Sequence, residues 1–336
     1  MRRSFRVLII AAVLVFIGTP SVLAVTLFGS ASDAKPVPRI KLATSLPAQI
    51  PVLLYHGIGT PSQVTGSVGN YNVSLTDFRA DMAALAAAGY ATVTPQQYVA
   101  WLAGINMDLP VKPVLITFDD AFWSDTLATP IMAQYGFHAV MFVVTGYADG
   151  LYGSEYAPWK VLSAMVREGW YLQFHAGKCG HAYLPYAPAT CLTGIDKALV
   201  NASHYQYYIW NYGQTAAEFK ARIKEDIGNG LADLASHAGF PAGWRSLLFA
   251  APYGAWSNGQ NSWLDDYWDS QFSVIFTQQI TASEEAVAKK YHIRYRLELG
   301  YGAQSASYLM RNLHNPAFAR AGATGTVGSP PTVGSG

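Results

Sequence analysis

Charge is what this chain has least of. Lysine, arginine, aspartate and glutamate make up 13% of its 336 residues, about half of the ~25% usual for soluble domains. The formal net charge is +1, and no basic run is present, so the chain is not an electrostatic binder of nucleic acid or of another anionic polymer. Cysteine is almost absent: Cys179 and Cys191 are the only two, which allows a single pairing. No internal repeat and no low-complexity block interrupts residues 49–316, which argues against a repeat array. What is plentiful is apolar and aromatic surface, with 51% hydrophobic residues, 9 Trp and 21 Tyr. That is enough for one large core, and length and composition fit a single α/β barrel domain. The aromatics suit such a core first and sugar-stacking surfaces second.

The N-terminus carries Arg2, Arg3 and Arg6, an apolar run over residues 7–18, a Thr19-Pro20 break, and Ser21-Val22-Leu23-Ala24. This is the pattern of an export signal. Read through to Phe28, the same stretch is long enough for an uncleaved membrane anchor over residues 7–28. Either reading of residues 1–28 puts the bulk of the chain in the extracellular space or cell envelope, secreted or membrane-anchored, where disulfides persist. Residues 29–48 and 317–336 are small, polar and rich in Pro or Gly, and are expected to be a linker and a disordered tail. The domain is expected over 49–316.

Within it, short apolar strands alternate with amphipathic helices, which predicts parallel βα units. Strands are expected over residues 51–55, 91–93, 114–118, 139–144, 170–174, 246–250, 272–276 and 292–297. Helices are expected over 75–88 behind a Ser74/Asp77 cap, from Thr94-Pro95 onward, after Asp120 to about Gln134, over 159–167, and over 216–235 behind Thr215/Glu218. About seven parallel strands with covering helices predict a distorted (β/α) barrel, whose chemistry gathers at the C-terminal strand ends.

Two strand ends stand out there. The run Val114-Leu115-Ile116-Thr117-Phe118 leads into Asp119-Asp120, adjacent carboxylates that persist most easily if a cation holds one of them. A helix N-cap with a spare acid is the simpler alternative. Phe174 is followed by His175 and, after a loop containing Gly177 and Gly180, by His181. Two imidazoles and a carboxylate are a ligand set for a divalent ion, zinc first. Two unrelated loop histidines are the alternative.

With these residues in view, the chain resembles the polysaccharide deacetylases, metal-dependent hydrolases with a distorted (β/α) barrel. Four segments carry the resemblance: Leu54-Tyr55-His56-Gly57-Ile58, Ile116-Thr117-Phe118-Asp119-Asp120, His175 to His181, and Phe249-Ala250-Ala251-Pro252-Tyr253-Gly254. Residues 73–93 look most like the branch acting on extracellular poly-N-acetylglucosamine. The resemblance implies Asp119 as general base, His56 as general acid, and Asp120, His175 and His181 as metal ligands. It also implies an N-acetylated glycan as substrate, of poly-N-acetylglucosamine or peptidoglycan type. Pro252 and Tyr253 are expected to form a wall of the sugar groove, with Trp256 and Trp123 as candidate stacking platforms. A catalytically silent carbohydrate-binding barrel and an O-acetyl esterase of the same fold remain alternatives.

The chain departs from the family pattern in two places. Ala121 stands where the family usually has Gly, and five residues rather than three separate the histidines. Cys179 lies in that longer loop. Its pairing with Cys191 is favoured by export and the even cysteine count, against a thiolate ligand at Cys179. Residues 194–214, with Tyr205, Tyr207, Tyr208, Trp210 and Tyr212, either contact substrate or pack their loop onto the barrel. The sequence leaves the oligomeric state open.

Overall fold

The computed structural model describes residues 40–59, 71–181, 189–199, 207–237, 240, 244–300 and 305–319. They fall within one compact unit, Val37–Gly336. The expected export or anchor segment, the first part of the expected linker, Tyr205 and nearly all of the expected tail lie outside the described residues. Among the described residues, no helix is long and apolar enough to cross a membrane.

Nine strands form one parallel sheet: β1 (Val52–Tyr55), β2 (Ala91–Thr92), β3 (Pro113–Asp119), β4 (Val140–Val144), β5 (Tyr171–Ala176), β6 (Leu248–Ala250), β7 (Val274–Thr277), β8 (Ile293–Tyr295) and β9 (Leu297–Glu298). Their order is β8-β7-β6-β5-β4-β3-β1-β9, with β2 on β3. β8 and β9 are one extended stretch interrupted only at Arg296. Its first half pairs with β7 and its second half with β1, so a single segment brings the two ends of the sheet together. The result is a nearly closed, distorted parallel barrel. Strands buried on both faces read as continuous apolar runs, and β3 and β4 are buried at every position.

The helices are α1 (Leu75–Ala87), α2 (Pro95–Leu102), α3 (Thr129–Ala133), α4 (Thr145–Ala148), α5 (Trp159–Arg167), α6 (Ala216–His237), α7 (Ser262–Gln271), α8 (Glu285–Lys290) and α9 (Ala306–Asn312). Their starts follow local chemistry. The Ser74 hydroxyl accepts from the Asp77 N–H at α1, and Thr94 and Gln97 form a reciprocal capping box at α2. Thr215 and Glu218 do the same ahead of α6. α1 buries Phe78, Met82 and Leu85; Phe78 meets Tyr55 and Phe118 edge-on.

One expected element is different. The helix predicted after Asp120 does not start there: Asp120 and Ala121 both have positive φ, 70° and 59°. A 3-10 helix over Trp123–Ala128 and the short α3 follow. The left-handed pair turns the chain at the barrel rim instead of letting it wind on, and such backbone is costly for a residue with a Cβ.

Candidate metal centre and active site

Side chains alternate along a strand, so Leu115, Thr117 and Asp119 share one face of β3 while Ile116 and Phe118 take the other. Phe118 packs outward against Tyr55 and Trp170. Asp119 points into the barrel, where Arg296 meets it. Arg296 Nη1 donates to Oδ1 at 2.6 Å and Nη2 to Oδ2 at 2.7 Å, with a longer contact from Nη1 to Thr117 Oγ1. Both partners are buried, Arg296 completely. Burial by itself would raise the Asp119 pKa; the Arg296 guanidinium outweighs it, with help from His175, and holds the carboxyl below its ordinary range.

The next residue faces the other way along the rim. Asp120 Oδ1 lies 3.4 Å from His175 Nε2 and 3.4 Å from His181 Nε2. The ligand atoms of Asp120, His175 and His181 all fall within 4.8 Å of one another, and all three residues are buried. Each imidazole is aimed by what its other nitrogen touches. His175 Nδ1 is 2.6 Å from the Ala250 carbonyl on β6, which can only accept, so Nδ1 carries the proton and the Nε2 lone pair faces Asp120. Tyr147 Oη donates to the His181 carbonyl at 2.8 Å and lies 2.9 Å from His181 Nδ1. With the hydroxyl proton already committed, Nδ1 donates to it, and again Nε2 is left for a ligand. Burial pushes His181 down to about 4, a neutral ring at neutral pH. His175 is moved upward: burial opposes this, but Asp119 and Asp120 prevail.

The donor set suits a divalent ion. Two imidazole lone pairs and one carboxylate converge, and Asp120 Oδ1 is buried without a hydrogen-bond partner among the described residues. An orphan acceptor of this kind is costly unless something positive fills the gap.

The five residues between the histidines are held tightly against α6. Asp226 Oδ1 accepts from the Cys179 N–H at 2.9 Å, and Tyr208 Oη donates to Asp226 Oδ2 at 2.6 Å. The Gly177 N–H donates to the Tyr208 hydroxyl at 3.1 Å. A Cβ at Gly180 would sit 2.3 Å from the Tyr208 ring and hydroxyl, and one at Gly177 would meet the Asp226 carbonyl at 2.3 Å. A disulfide joins Cys179 to Cys191.

His56 follows β1, whose register sets Tyr55 beside Phe118, so His56 is level with Asp119. Its Nδ1 is buried without a hydrogen-bond partner among the described residues. Burial raises the nearby Glu298, an effect that His56 and Arg296 oppose. Tyr253, with φ of 59°, tilts its ring against His181 at 4.4 Å between centroids. Pro252 is buried beside it. Trp256 is 7% exposed and Trp123 49%.

Arg296, Tyr147, Asp226 and Glu298 were not singled out by motif. A signal for two of them does exist in the sequence. Arg294, Arg296 and Glu298 alternate through the otherwise apolar 293–299, placing three charges on one face of a buried strand.

A polysaccharide deacetylase family model matches residues 106–266. That segment, just under half of the chain, is similar to the polysaccharide deacetylases. It contains the carboxylate pair, both histidines and Tyr253, and stops short of His56 and Arg296. No match is found among curated protein sequences. Among solved structures, IcaB from Ammonifex degensii is similar with a TM-score of 0.55 and 22% identity, covering 80% of this chain and 99% of its own. The Streptococcus pyogenes deacetylase PplD, in complex with acetate, gives 0.55 and 19% over the same shares. The de-N-acetylase from Aggregatibacter actinomycetemcomitans gives 0.57 and 17%, over 78% of this chain and 99% of that one. At these identities the likeness is one of fold. The family match and the buried Asp/His/His cluster support a metal-dependent hydrolase of deacetylase type.

Proposed function

We propose that this chain is an exported hydrolase that removes N-acetyl groups from an N-acetylated polysaccharide, with a divalent ion, zinc first, held by Asp120, His175 and His181. The convergence of both Nε2 atoms on Asp120 Oδ1, beside a carboxylate already paired with arginine, carries this reading. When bound, the ion supplies Lewis-acid polarisation of the acetyl carbonyl and an acidified water.

The rest of the chemistry falls to the chain's own side chains. Asp119, kept ionised and oriented by Arg296, accepts a proton from the attacking water. His56, at the end of β1 and level with Asp119 on the neighbouring β3, delivers a proton to the departing amine nitrogen. The Tyr253 backbone, on the wall over His181, is our candidate for oxyanion stabilisation. Residues 49–316 form the catalytic domain in this reading, and residues 1–28 direct export or anchor the chain. The Cys179–Cys191 disulfide fits an oxidising compartment outside the cytoplasm. A deacetylase, a de-N-acetylase and two polysaccharide deacetylases of like fold support an N-acetylated polysaccharide as substrate.

The test is metal content together with acetate release on N-acetylglucosamine oligomers and peptidoglycan, for the chain lacking residues 1–28 and for Asp120→Ala and His175→Ala. The reading expects about one metal per wild-type chain, acetate from at least one glycan, and loss of both in the variants. Metal-free protein that binds sugar without releasing acetate would make this a silent barrel. Release from O-acetyl esters alone would make it an esterase.

A further inference from the structure

A groove of about 640 Å³ opens on the same barrel face as the metal cluster, within the ~300–1,000 Å³ range of ligand pockets. It begins at Gly254, next to Tyr253 and its contact with His181, and its walls come from the loops after β5, β6 and β7. Its lining combines indole and amide: Trp210 and Trp256 with Asn258, Gln260, Asn261 and Gln279. Among the described residues, Glu284 is the one ionisable lining side chain, and its carboxylate accepts from the Thr281 N–H at 2.7 Å. No lysine, arginine or histidine lines the groove among the described residues.

The platform side is built rather than loose. Trp210 is 60% exposed, yet the loop that presents it is fastened to α6 by one buried arginine. Arg222 Nη2 donates to the Trp210 carbonyl at 2.8 Å and Nη1 to the Tyr207 carbonyl, while Nε donates to Gln214 Oε1 at 2.7 Å. The guanidinium also covers the Tyr207 ring at 4.2 Å. On the opposite wall, Asn261 Oδ1 caps α7, leaving its amide N–H groups to donate. Thr277 Oγ1 donates to the Gly254 carbonyl at 2.6 Å, fixing the junction with the site.

We infer that this groove is a subsite for further units of an uncharged, amide-bearing glycan, with Trp210 stacking on a pyranose face and Asn258 and Gln279 taking up hydroxyl or acetamido groups. The inference rests on the deacetylase reading for its place next to the reacting sugar. The chemistry of the lining separates it from an anionic polymer: carboxylate- or phosphate-bearing units would enter beside Glu284 and find no cation. Stacking and amide hydrogen bonds recognise neutral sugar rings without charge.

The readout is kcat/KM for N-acetylglucosamine hexamer relative to dimer, in wild type, Trp210→Ala and Gln279→Ala, each checked for an unchanged thermal melt. Wild type is expected to prefer the hexamer, and either substitution to cut that preference about tenfold, through KM rather than kcat. If wild type releases acetate and both variants keep the full hexamer preference, the subsite is wrong and the deacetylase reading stands. If no glycan releases acetate, the deacetylase reading fails, and hexamer titration monitored by tryptophan fluorescence decides the groove on its own. Binding weakened in Trp210→Ala upholds it, and absence of binding overturns it. Tighter binding of an anionic polymer, such as a polyuronate, than of the hexamer also overturns it.

Discussion

Replacing Arg296 by Met isolates the energetics of the ion pair at the heart of the site. Asp119 and Arg296 are joined by two parallel hydrogen bonds of 2.6 and 2.7 Å with both groups buried. Without the guanidinium, the carboxylate stays buried with neither oxygen compensated, and removing one partner of such a pair costs about 3–5 kcal/mol. That is a large fraction of the ~5–15 kcal/mol by which domains are stable. The loss depends on pH in a direction that can be worked out. In the native protein the Asp119 pKa is depressed, so its contribution is present above the unfolded value of 3.8 and lost as pH falls through the folded pKa. In Arg296→Met burial, the largest effect, is opposed only by the weaker pull of His175 and His56, so the pKa rises and the variant loses stability as pH rises from the acid side. The gap between the two proteins therefore widens from acid to neutral pH. Urea unfolding at pH 5 and pH 8, with a chelator present so that metal binding does not contribute, measures it. The double variant Asp119→Leu, Arg296→Met should recover most of the stability and none of the activity, because two apolar groups bury in place of the pair at little cost. A loss independent of pH, or a double variant no more stable than Arg296→Met, would refute this account.

Three further outcomes follow from other parts of the fold. Asp81 is 3% exposed, accepts from Tyr55 Oη at 3.0 Å, and is pushed up to about 7 by burial. Its folded pKa exceeds its unfolded one, so it withdraws stability as pH rises from 3.8 through 7; Asp81→Asn should gain about 4 kcal/mol at pH 8 and little at pH 4 in urea melts, and identical pH slopes would contradict this. Ala121 holds a φ of 59°, so Ala121→Gly should raise stability by about 0.5–1 kcal/mol, the strain relieved less the entropy of glycine, and a lower melting temperature would count against the strain. Gly180→Ala drives a Cβ into Tyr208. Overpacking of about 1–3 kcal/mol should displace His181 and weaken metal affinity more than tenfold in a chelator competition; unchanged affinity would show that the loop does not set the ligand.

Much of this was legible in the chain itself. The capping residues Ser74, Thr94 and Thr215 mark their helices because an N-cap needs only the next three residues. The apolar runs before Asp119, His175 and Pro252 mark strands, and the order of the four motif segments points to the barrel and to the cluster Asp120, His175 and His181. The helix expected from Asp120 was misplaced for a local reason of another kind: neither Asp120 nor Ala121 advertises positive φ, as glycine would.

Sequence alone therefore determined the strand–helix alternation, the strand-end positions of the acidic pair and the histidines, and the low charge content of the chain. Only tertiary structure decided which groups those side chains meet. Arg296 reaches Asp119 across 177 positions because one strand, broken at that arginine, lies between β7 and β1. Asp226 meets the His181 loop across 47 positions because α6 packs over it. A hydrogen bond between distant residues depends on where the barrel closes, and closure is a property of all the strands together, which no short stretch of sequence encodes.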